Sequence, residues 1–317
     1  MQKSQIAPFS LYPKFDARPW GSFDLAPVYD YSIPSDAGPI GEAWLTGEQC
    51  RVKNGQFSGS TLREMCSTFG RDIVGSASRD SSRFPLLLKF LFTQDRLSVQ
   101  VHPDDHAAQS VGEPCGKTEC WYVVHAQPDA AIALGLKPAV DKLRFLRAIE
   151  ENRAEELLNW VGVQAGDMIY VAAGTVHTIG PGVIIFEVQQ NSDTTYRLYD
   201  YGRPRELHLE QGVAALKEVT DAGKVAAVRR ENGAERLISA EHFAIERHVF
   251  NGTRAFQTKR GYSPQCLVAL EGSGAVTAAG FVPARFASGE ALIVPASINE
   301  FVVESEAPVQ LLKCCLP

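Results

Sequence analysis

Short apolar runs with polar residues at alternate positions recur along most of this chain of 317 residues. Examples are LSVQVHP, CWYVVHA, GDMIYVAAGTVH, GVIIFEVQQ and, nearer the C-terminus, QCLVALEGSGAVT and EALIVPASINEFVVE. Gly, Pro, Asn and Asp separate these runs at close spacing. Alternation with a period of two, broken by turn residues, predicts many short antiparallel strands arranged as a sandwich or barrel. The predicted fold class is therefore mainly β.

Two segments have helical periodicity instead. Residues 141–161 carry apolar side chains three or four positions apart among charges, and residues 207–219 have the pattern of a connecting helix. The stretch 220–237 that follows is polar and charged, which predicts a linker. We therefore expect a few helices to interrupt the strands.

A weak internal repeat lies on the two sides of this linker. Residues 166–177 (GDMIYVAAGTVH) and 289–300 (GEALIVPASINE) both run from a glycine and an acid through apolar residues to a polar residue at the same offset. The first copy ends on His177 and the second on Glu300. Two β domains of common ancestry follow, and only the first keeps the histidine.

Composition excludes several classes of protein. Lys and Arg total 31 against 37 Asp and Glu, for a net charge of -6, without the basic stripe that nucleic-acid binding uses. No run of 18 apolar residues is present, and the N-terminal residues lack the apolar core of a signal peptide, so we expect no membrane partner and a cytoplasmic protein. The 7 cysteines include no CxxC pair, which indicates free thiols in a reducing compartment.

Candidate metal ligands occur in three of the predicted strand regions. Residues i and i+2 of a strand share a face, so Ser98, Gln100 and His102 project together. Glu119 lies in GKTECWYVV, and His177 ends GDMIYVAAGTVH. Neighbouring antiparallel strands can join these positions, and two imidazoles, a carboxylate and an amide suit a divalent ion such as zinc. From the residues alone the alternative also stands that these are hydrogen-bonded or surface side chains.

Several motifs together resemble one family. LLLKFLF, LSVQVHPDD, GKTECWYV, AAGTVHTIG and SDTTYRLYDYGR, preceded by PWG and GEAWLTGE, occur in the order found in the type I mannose-6-phosphate isomerases, particularly their short bacterial form. The resemblance is strong over about residues 20–203 and holds in outline beyond them. It implies two cupin (jelly-roll β-barrel) domains and an enzyme that interconverts mannose 6-phosphate and fructose 6-phosphate through an enediol.

The resemblance also implies how the chain is divided. We expect an N-terminal catalytic cupin domain over residues 1–205, with a helical insertion near 141–161. A helical connector over 206–236 and a C-terminal cupin-like domain over 237–317 complete the prediction. The second domain lacks a metal site in this prediction, because Glu300 stands where the first domain has its histidine.

The resemblance further implies one zinc ion per chain, with four ligands: Gln100, His102, Glu119 and His177. It makes Arg197 the active-site arginine, placed to stabilise negative charge. The base that moves the proton stays open among Lys89, Lys117 and Glu187. Ser98, with Lys117 and Arg197, is a candidate for binding the substrate, a small sugar phosphate.

Two other functions compete with an isomerase. An iron-dependent cupin oxygenase would also use histidines and a carboxylate, and a non-catalytic sugar-binding cupin would keep the fold without turnover. The GKTEC and TTYRLYDYGR segments favour the isomerase by resemblance. The sequence does not indicate an oligomeric state.

Overall fold

The computed structural model describes residues 6–30 and 35–317, and most of its regular structure is antiparallel strand. Its strands are β1 (Phe9–Leu11), β2 (Lys14–Ser22), β3 (Ile40–Trp44), β4 (Leu86–Thr93), β5 (Val99–Val101), β6 (Glu119–Ala126), β7 (Ala131–Leu136), β8 (Leu158–Gly162), β9 (Met168–Val171), β10 (His177–Ile179), β11 (Val183–Gln190), β12 (Tyr196–Tyr199), β13 (Gly223–Val225), β14 (Val228–Arg229), β15 (Glu235–Ser239), β16 (Ala244–Gln257), β17 (Gln265–Glu271), β18 (Ser273–Thr277), β19 (Ala284–Ala287), β20 (Ala291–Val294) and β21 (Glu300–Cys315). Its α-helices are α1 (Leu62–Phe69), α2 (Arg71–Val74), α3 (Asp105–Ser110), α4 (Lys142–Glu150) and α5 (Leu209–Ala215). The prediction of a mainly β fold is confirmed.

Two sheets form an N-terminal barrel. Sheet I has the order β13-β9-β6-β11-β4-β3-β2, and sheet II has the order β12-β5-β10-β7-β8. Apolar side chains from both sheets meet between them, among them Leu91, Trp121, Ile132, Ile169 and Ile185. Alternate residues along these strands therefore point into the barrel. The inward-pointing residues include polar side chains as well as the apolar ones named above.

Sheet III forms the C-terminal half, with the order β1-β20-β17-β21-β16-β15-β14 and with β18 and β19 attached. Even-numbered residues of β4 and β11 point away from the N-terminal barrel, from the outer face of sheet I. Phe90 and Phe186 are examples, and they share one core with Ile245 and Val268 of sheet III. Odd-numbered residues of β4 and β11 point into the N-terminal barrel instead. This packing fixes which side chains reach the barrel interior.

The division into residues 1–205, 206–236 and 237–317 remains a prediction. One strand lies on the other side of this division, because β1 pairs with β20 through Phe9 and Ile293 and so belongs to sheet III. Residues 220–237, predicted as a linker, add β13 to sheet I and β14 to sheet III.

The predicted helix over residues 141–161 is wrong in its second half. Helix α4 begins at Lys142 and ends at Glu150, and Asn152 then adopts a φ of 57°, which ends the helix. A short 3-10 turn follows, and the rest is β8, whose Trp160 pairs with Ala133. The second predicted helix is also shorter than expected, since α5 covers only part of 207–219.

Helices α4 and α5 cover the outer face of sheet II. Val99 and Val101 of β5 point outward to this layer, where they share a core with Phe145 of α4. Residues 98, 100 and 102 therefore point inward; the parity of the LSVQVHP segment predicts that they share a face, and the packing of β5 decides which face it is. In the described part of the chain, no helix combines the length and apolarity that crossing a lipid bilayer requires.

The two copies of the internal repeat have the same local structure. In each, a glycine with positive φ (Gly166 at 94°, Gly289 at 77°) precedes a four-residue strand, β9 or β20. In each, the final residue begins the next strand, His177 in β10 and Glu300 in β21. His177 is buried and Glu300 is exposed, so the second copy presents its polar residue to solvent.

Candidate metal centre and active-site pocket

Three ligand candidates meet inside the N-terminal barrel because each stands at the end of a strand. Glu119 is the first residue of β6 in sheet I, and His177 is the first residue of β10 in sheet II. His102 directly follows β5. The turn at Gly174, with a φ of 89°, donates its N–H to the carbonyl of His102 at 2.9 Å and joins the two histidine segments.

The side-chain ends of these three residues converge closely enough to share one metal ion. Nε2 of His102 is 3.5 Å from Oε2 of Glu119, and Nε2 of His177 is 3.4 Å from Oε1 of the same carboxylate. All three ligand atoms lie within 4.8 Å of one another. This group of two imidazoles and a carboxylate is the one the sequence predicts.

Hydrogen bonds select the tautomer of each histidine. Nδ1 of His102 donates to the carbonyl of Thr194 at 3.0 Å, and Nδ1 of His177 donates to the carbonyl of Thr175 at 2.9 Å. Because a carbonyl only accepts, the proton is on Nδ1, and Nε2 directs its lone pair toward the carboxylate. Backbone partners of this kind commonly orient metal-ligating histidines.

The group also contains buried polar atoms without hydrogen-bond partners. Nε2 of His102 and both carboxylate oxygens of Glu119 are of this kind, and these two residues are 1% and 0% exposed. The Lys117 ammonium, 3.4 Å from Oε2, compensates part of the carboxylate charge, but burying these atoms without hydrogen-bond donors is still costly unless a cation binds between them. The residues therefore fit a divalent ion.

Burial sets the charge state of the group. Burial and the charge of Lys117 hold the pKa of His102 well below its ordinary value. Burial lowers the pKa of His177 to about 4. Burial raises the pKa of Glu119, although the charges of Lys117 and Lys89 oppose this shift. Both imidazoles are thus neutral at pH 7, which is the form that binds metal ions.

Gln100 lies beside the same group of side chains. It is paired with His177 across β5 and β10, and its side-chain amide nitrogen lies 3.2 Å from Nε2 of that histidine. Rotation of the amide by half a turn puts its oxygen in that place, so Gln100 can serve as a fourth ligand. Ser98 lies on the same strand face, with its hydroxyl 3.5 Å from the amide oxygen of Gln100. The parity argument from the sequence thus brings these residues together.

A cavity of about 450 Å³ opens beside the metal group. Its walls include Arg18, Glu42, Lys89, Gln100, Glu187 and Arg197. Lys117 also lines the cavity, and its ammonium is 3.4 Å from Oε2 of Glu119. The cavity therefore gives a small polar molecule access to the metal group and to several cations.

The charged residues predicted as proton-transfer candidates are all buried: Lys89 and Glu187 lie on strands of sheet I, and Lys117 lies two residues before β6. Oε2 of Glu187 accepts a hydrogen bond from the indole nitrogen of Trp121 at 3.0 Å. Burial and the charge of Glu119 raise the pKa of Glu187 to about 7. Burial opposes the charge on Lys117, but the carboxylates of Glu119 and Glu187 raise its pKa. Lys117 is thus held as a fixed cation.

Arg197 lies on β12 directly opposite Gln100 of β5. Its Nη1 donates to the carbonyl of Glu206 at 2.8 Å, while its Nε is buried without a partner. Among the described residues, its guanidinium forms no ion pair with Asp193 or Asp200, the two partners that a structural role would use. A guanidinium with a free donor on a cavity wall is available to a ligand.

The sequence did not identify several other residues of the cavity. Arg18 comes from β2, Glu42 comes from β3, and Arg205 comes from the segment before α5. The GEAWLTGE motif contains Glu42, so the resemblance marked the segment without assigning this residue. The seven cysteines are all free, as predicted, and none of them lines this cavity.

Two antiparallel β-barrels, the first with a buried His–Glu–His group beside a cationic cavity, define a cupin-type protein with a candidate metal centre. A family model described as the catalytic domain of type I phosphomannose isomerase matches residues 9–135. The mannose-6-phosphate isomerase ManA of Bacillus subtilis is 37% identical over 95% of this chain and 96% of its own length. A mannose-6-phosphate isomerase of Streptococcus mutans is 35% identical over 95% of this chain and 96% of its own length.

The crystal structure of a mannose 6-phosphate isomerase from Bacillus subtilis is similar over 98% of this chain and 99% of that chain, with a TM-score of 0.85 and 31% identity. The chain belongs to the type I mannose-6-phosphate isomerase family. The family resemblance and the cupin fold predicted from the sequence are thereby confirmed. Membership of this family of enzymes also favours an isomerase over an oxygenase or a binding protein.

Proposed function

We propose that this chain interconverts mannose 6-phosphate and fructose 6-phosphate through an enediol, with one zinc ion held by Gln100, His102, Glu119 and His177. The observation that carries the proposal is the buried His–Glu–His group, whose ligand atoms lie within 4.8 Å of one another beside a cavity lined by cations. The names of the relatives supply the substrate. A two-barrel scaffold matched over nearly the whole chain makes a shared reaction the simplest interpretation.

The first task of the site is to hold the metal ion and limit its charge. When bound, a divalent ion supplies positive charge that stabilises the oxyanion developing on a sugar carbonyl. The Nδ1 bonds of His102 and His177 hold each ring so that Nε2 faces Glu119. Two neutral histidines and one carboxylate leave a net positive charge on a divalent ion, as electrophilic assistance requires.

We assign proton transfer to Glu187 rather than to Lys117 or Lys89. Aldose–ketose interconversion removes a proton next to the carbonyl and returns it to the neighbouring carbon, so one group can serve both steps. Glu187 lines the cavity, and Trp121 fixes one of its oxygens at 3.0 Å, which leaves the other free. Lys117 is engaged with Glu119 at 3.4 Å, and Lys89 with Asp193 at 3.3 Å.

The remaining cations and hydroxyls bind and orient the sugar phosphate. Arg197 offers its unpartnered Nε and a charge that is retained at all working pH values. Ser98 adds a hydroxyl on the face of Gln100. Preorganised donors beside the reacting oxygens stabilise the charge that develops in the transition state. We place Arg197 at these oxygens, with Ser98 and Lys117 contacting the substrate nearby.

A coupled assay tests the proposal. Purified protein is supplied with zinc, its metal content is measured, and formation of fructose 6-phosphate from mannose 6-phosphate is followed on the same sample. We expect turnover that scales with bound zinc at up to one ion per chain. Protein that carries one zinc per chain and forms no fructose 6-phosphate would refute the proposed reaction. Turnover with iron alone would refute the choice of metal.

A further inference from the structure

A row of directly paired side chains crosses four neighbouring strands of sheet I. Trp44 of β3 pairs with Lys89 of β4, Lys89 pairs with Glu187 of β11, and Glu187 pairs with Trp121 of β6. Directly opposed residues on one face of an antiparallel pair are in side-chain contact. An indole ring therefore lies at each end of the row, Trp44 beside Lys89 and Trp121 beside Glu187.

Lys89 depends on this row for its surroundings. The residue is only 2% exposed, so its ammonium depends on protein groups for most of its surroundings. Its Nζ lies 4.0 Å from the centroid of the Trp44 ring and 3.3 Å from a carboxylate oxygen of Asp193. Since the Asp193 side chain is 62% exposed, the half-buried indole is the less exposed of these two partners.

Trp44 is itself held in place from two directions. Its indole nitrogen donates to Oε2 of Glu42 at 2.8 Å, and Nη2 of Arg18 donates to the same oxygen at 2.9 Å. Against the ring lies Gly47, where a Cβ would come within 2.8 Å of ring atom Cε3. The ring orientation is thus fixed by a hydrogen bond at its nitrogen and by backbone at its benzene edge.

We propose that Trp44 is a positioning residue, whose indole face holds the Lys89 ammonium at the cavity wall in the place where it contacts the substrate. This inference rests on the proposed function, and it adds Lys89 to the cations that contact the bound sugar phosphate. An ammonium over an aromatic face is attracted to the ring while its N–H groups remain free to donate elsewhere. If a carboxylate stood in the place of the Trp44 ring, it would accept hydrogen bonds from the Lys89 ammonium and compete with an anionic substrate for its N–H groups.

The first experiment replaces Trp44 with site-specifically incorporated fluorotryptophans carrying one to three fluorines. Fluorine withdraws ring electrons with little change in shape, so folding is preserved while the attraction to the ammonium weakens. We expect kcat/KM for mannose 6-phosphate to fall with each fluorine, to a total loss of about 10-fold. The same series at Trp160, which lies on the outer face of sheet II, is the matched control and should leave kcat/KM unchanged.

The second experiment is a double-mutant cycle between Trp44→Leu and Lys89→Met. If Trp44 acts through Lys89, each single variant lowers kcat/KM, and Trp44→Leu has no further effect in the Lys89→Met background. Lys14 also lies over this ring, at 5.5 Å from its centroid, but it is 49% exposed. Lys14→Met therefore serves as a control that should leave kcat/KM unchanged.

The outcomes separate this inference from the proposed function. A zinc-loaded natural protein without isomerase activity refutes the proposed function. An active natural protein whose kcat/KM is insensitive to fluorination at Trp44, or whose Trp44 and Lys89 substitutions are simply additive, refutes the inference alone. The fluorine series decides the question even if Trp44→Leu does not fold.

Discussion

The Glu42 carboxylate provides a sharp test of the electrostatics around the cavity. It accepts hydrogen bonds from Arg18 and Trp44, and its side chain is 14% exposed. Burial opposes its ionisation, but the charges of Lys89 and Arg18 hold the pKa of Glu42 at about 2, against an ordinary value of 4.5. We expect Glu42→Gln to remove this favourable interaction.

The magnitude and its pH dependence follow from linkage. A pKa lowered on folding contributes stability that is fully present above the unfolded value and is lost as pH falls toward the folded value. The lowering of roughly 2.5 pKa units corresponds to about 3 kcal/mol at pH 7, at 1.36 kcal/mol per unit. The stabilisation is lost progressively between pH 4.5 and pH 2, with roughly 1 kcal/mol already gone at pH 3.5.

Urea unfolding of the natural protein and of Glu42→Gln, each at pH 7 and at pH 3.5, measures the difference. We expect the destabilisation by Glu42→Gln to shrink by about 1 kcal/mol at the lower pH. Glu306→Gln, at an exposed glutamate of β21, is the matched control. A Glu42→Gln penalty that is the same at both pH values would refute the electrostatic explanation and indicate a packing effect.

Three further substitutions test the assignments within the site. His177→Ala should lose zinc and isomerase activity together, as metal analysis and the coupled assay would show; normal rates with retained zinc would contradict its role as a ligand. Arg197→Ala should keep zinc but lose activity by about 100-fold or more, and an unchanged kcat would contradict its placement beside the reacting oxygens. Glu187→Gln should lower kcat by about 100-fold with little change in KM, and exchange of the substrate proton with solvent at the normal rate would reassign the base.

The sequence predicted correctly which residues of this segment share a face, because that prediction depends only on strand parity. Ser98, Gln100 and His102 share a face in any extended segment, and β5 needs only three residues to establish it. His177 follows a turn at Gly174, and it is the first residue of β10. Candidate ligands placed at strand ends by short local signals are therefore accessible to sequence reasoning.

Predictions failed where the outcome depends on distant parts of the chain. Residues 158–162 are half-exposed and follow a charged segment, so the pattern of the whole stretch resembles an amphipathic helix. Only pairing with β7 makes residues 158–162 a strand. Helix α1 was missed, although Thr61 and Glu64 form a capping box that signals its start. Local patterns thus leave sheet partners open even where they indicate the right kind of element.

The same reasoning explains why the surroundings of Lys89 were not predicted. Its strand, LLLKFLF, is buried on both faces, and one charged residue in such a strand must have partners to remain there. Which residues these are depends on the register of β3 against β4, since a shift of one position would turn Trp44 away from the barrel interior. A buried charge in an apolar strand therefore predicts that a partner exists, and the tertiary register alone determines that the partner is an aromatic face.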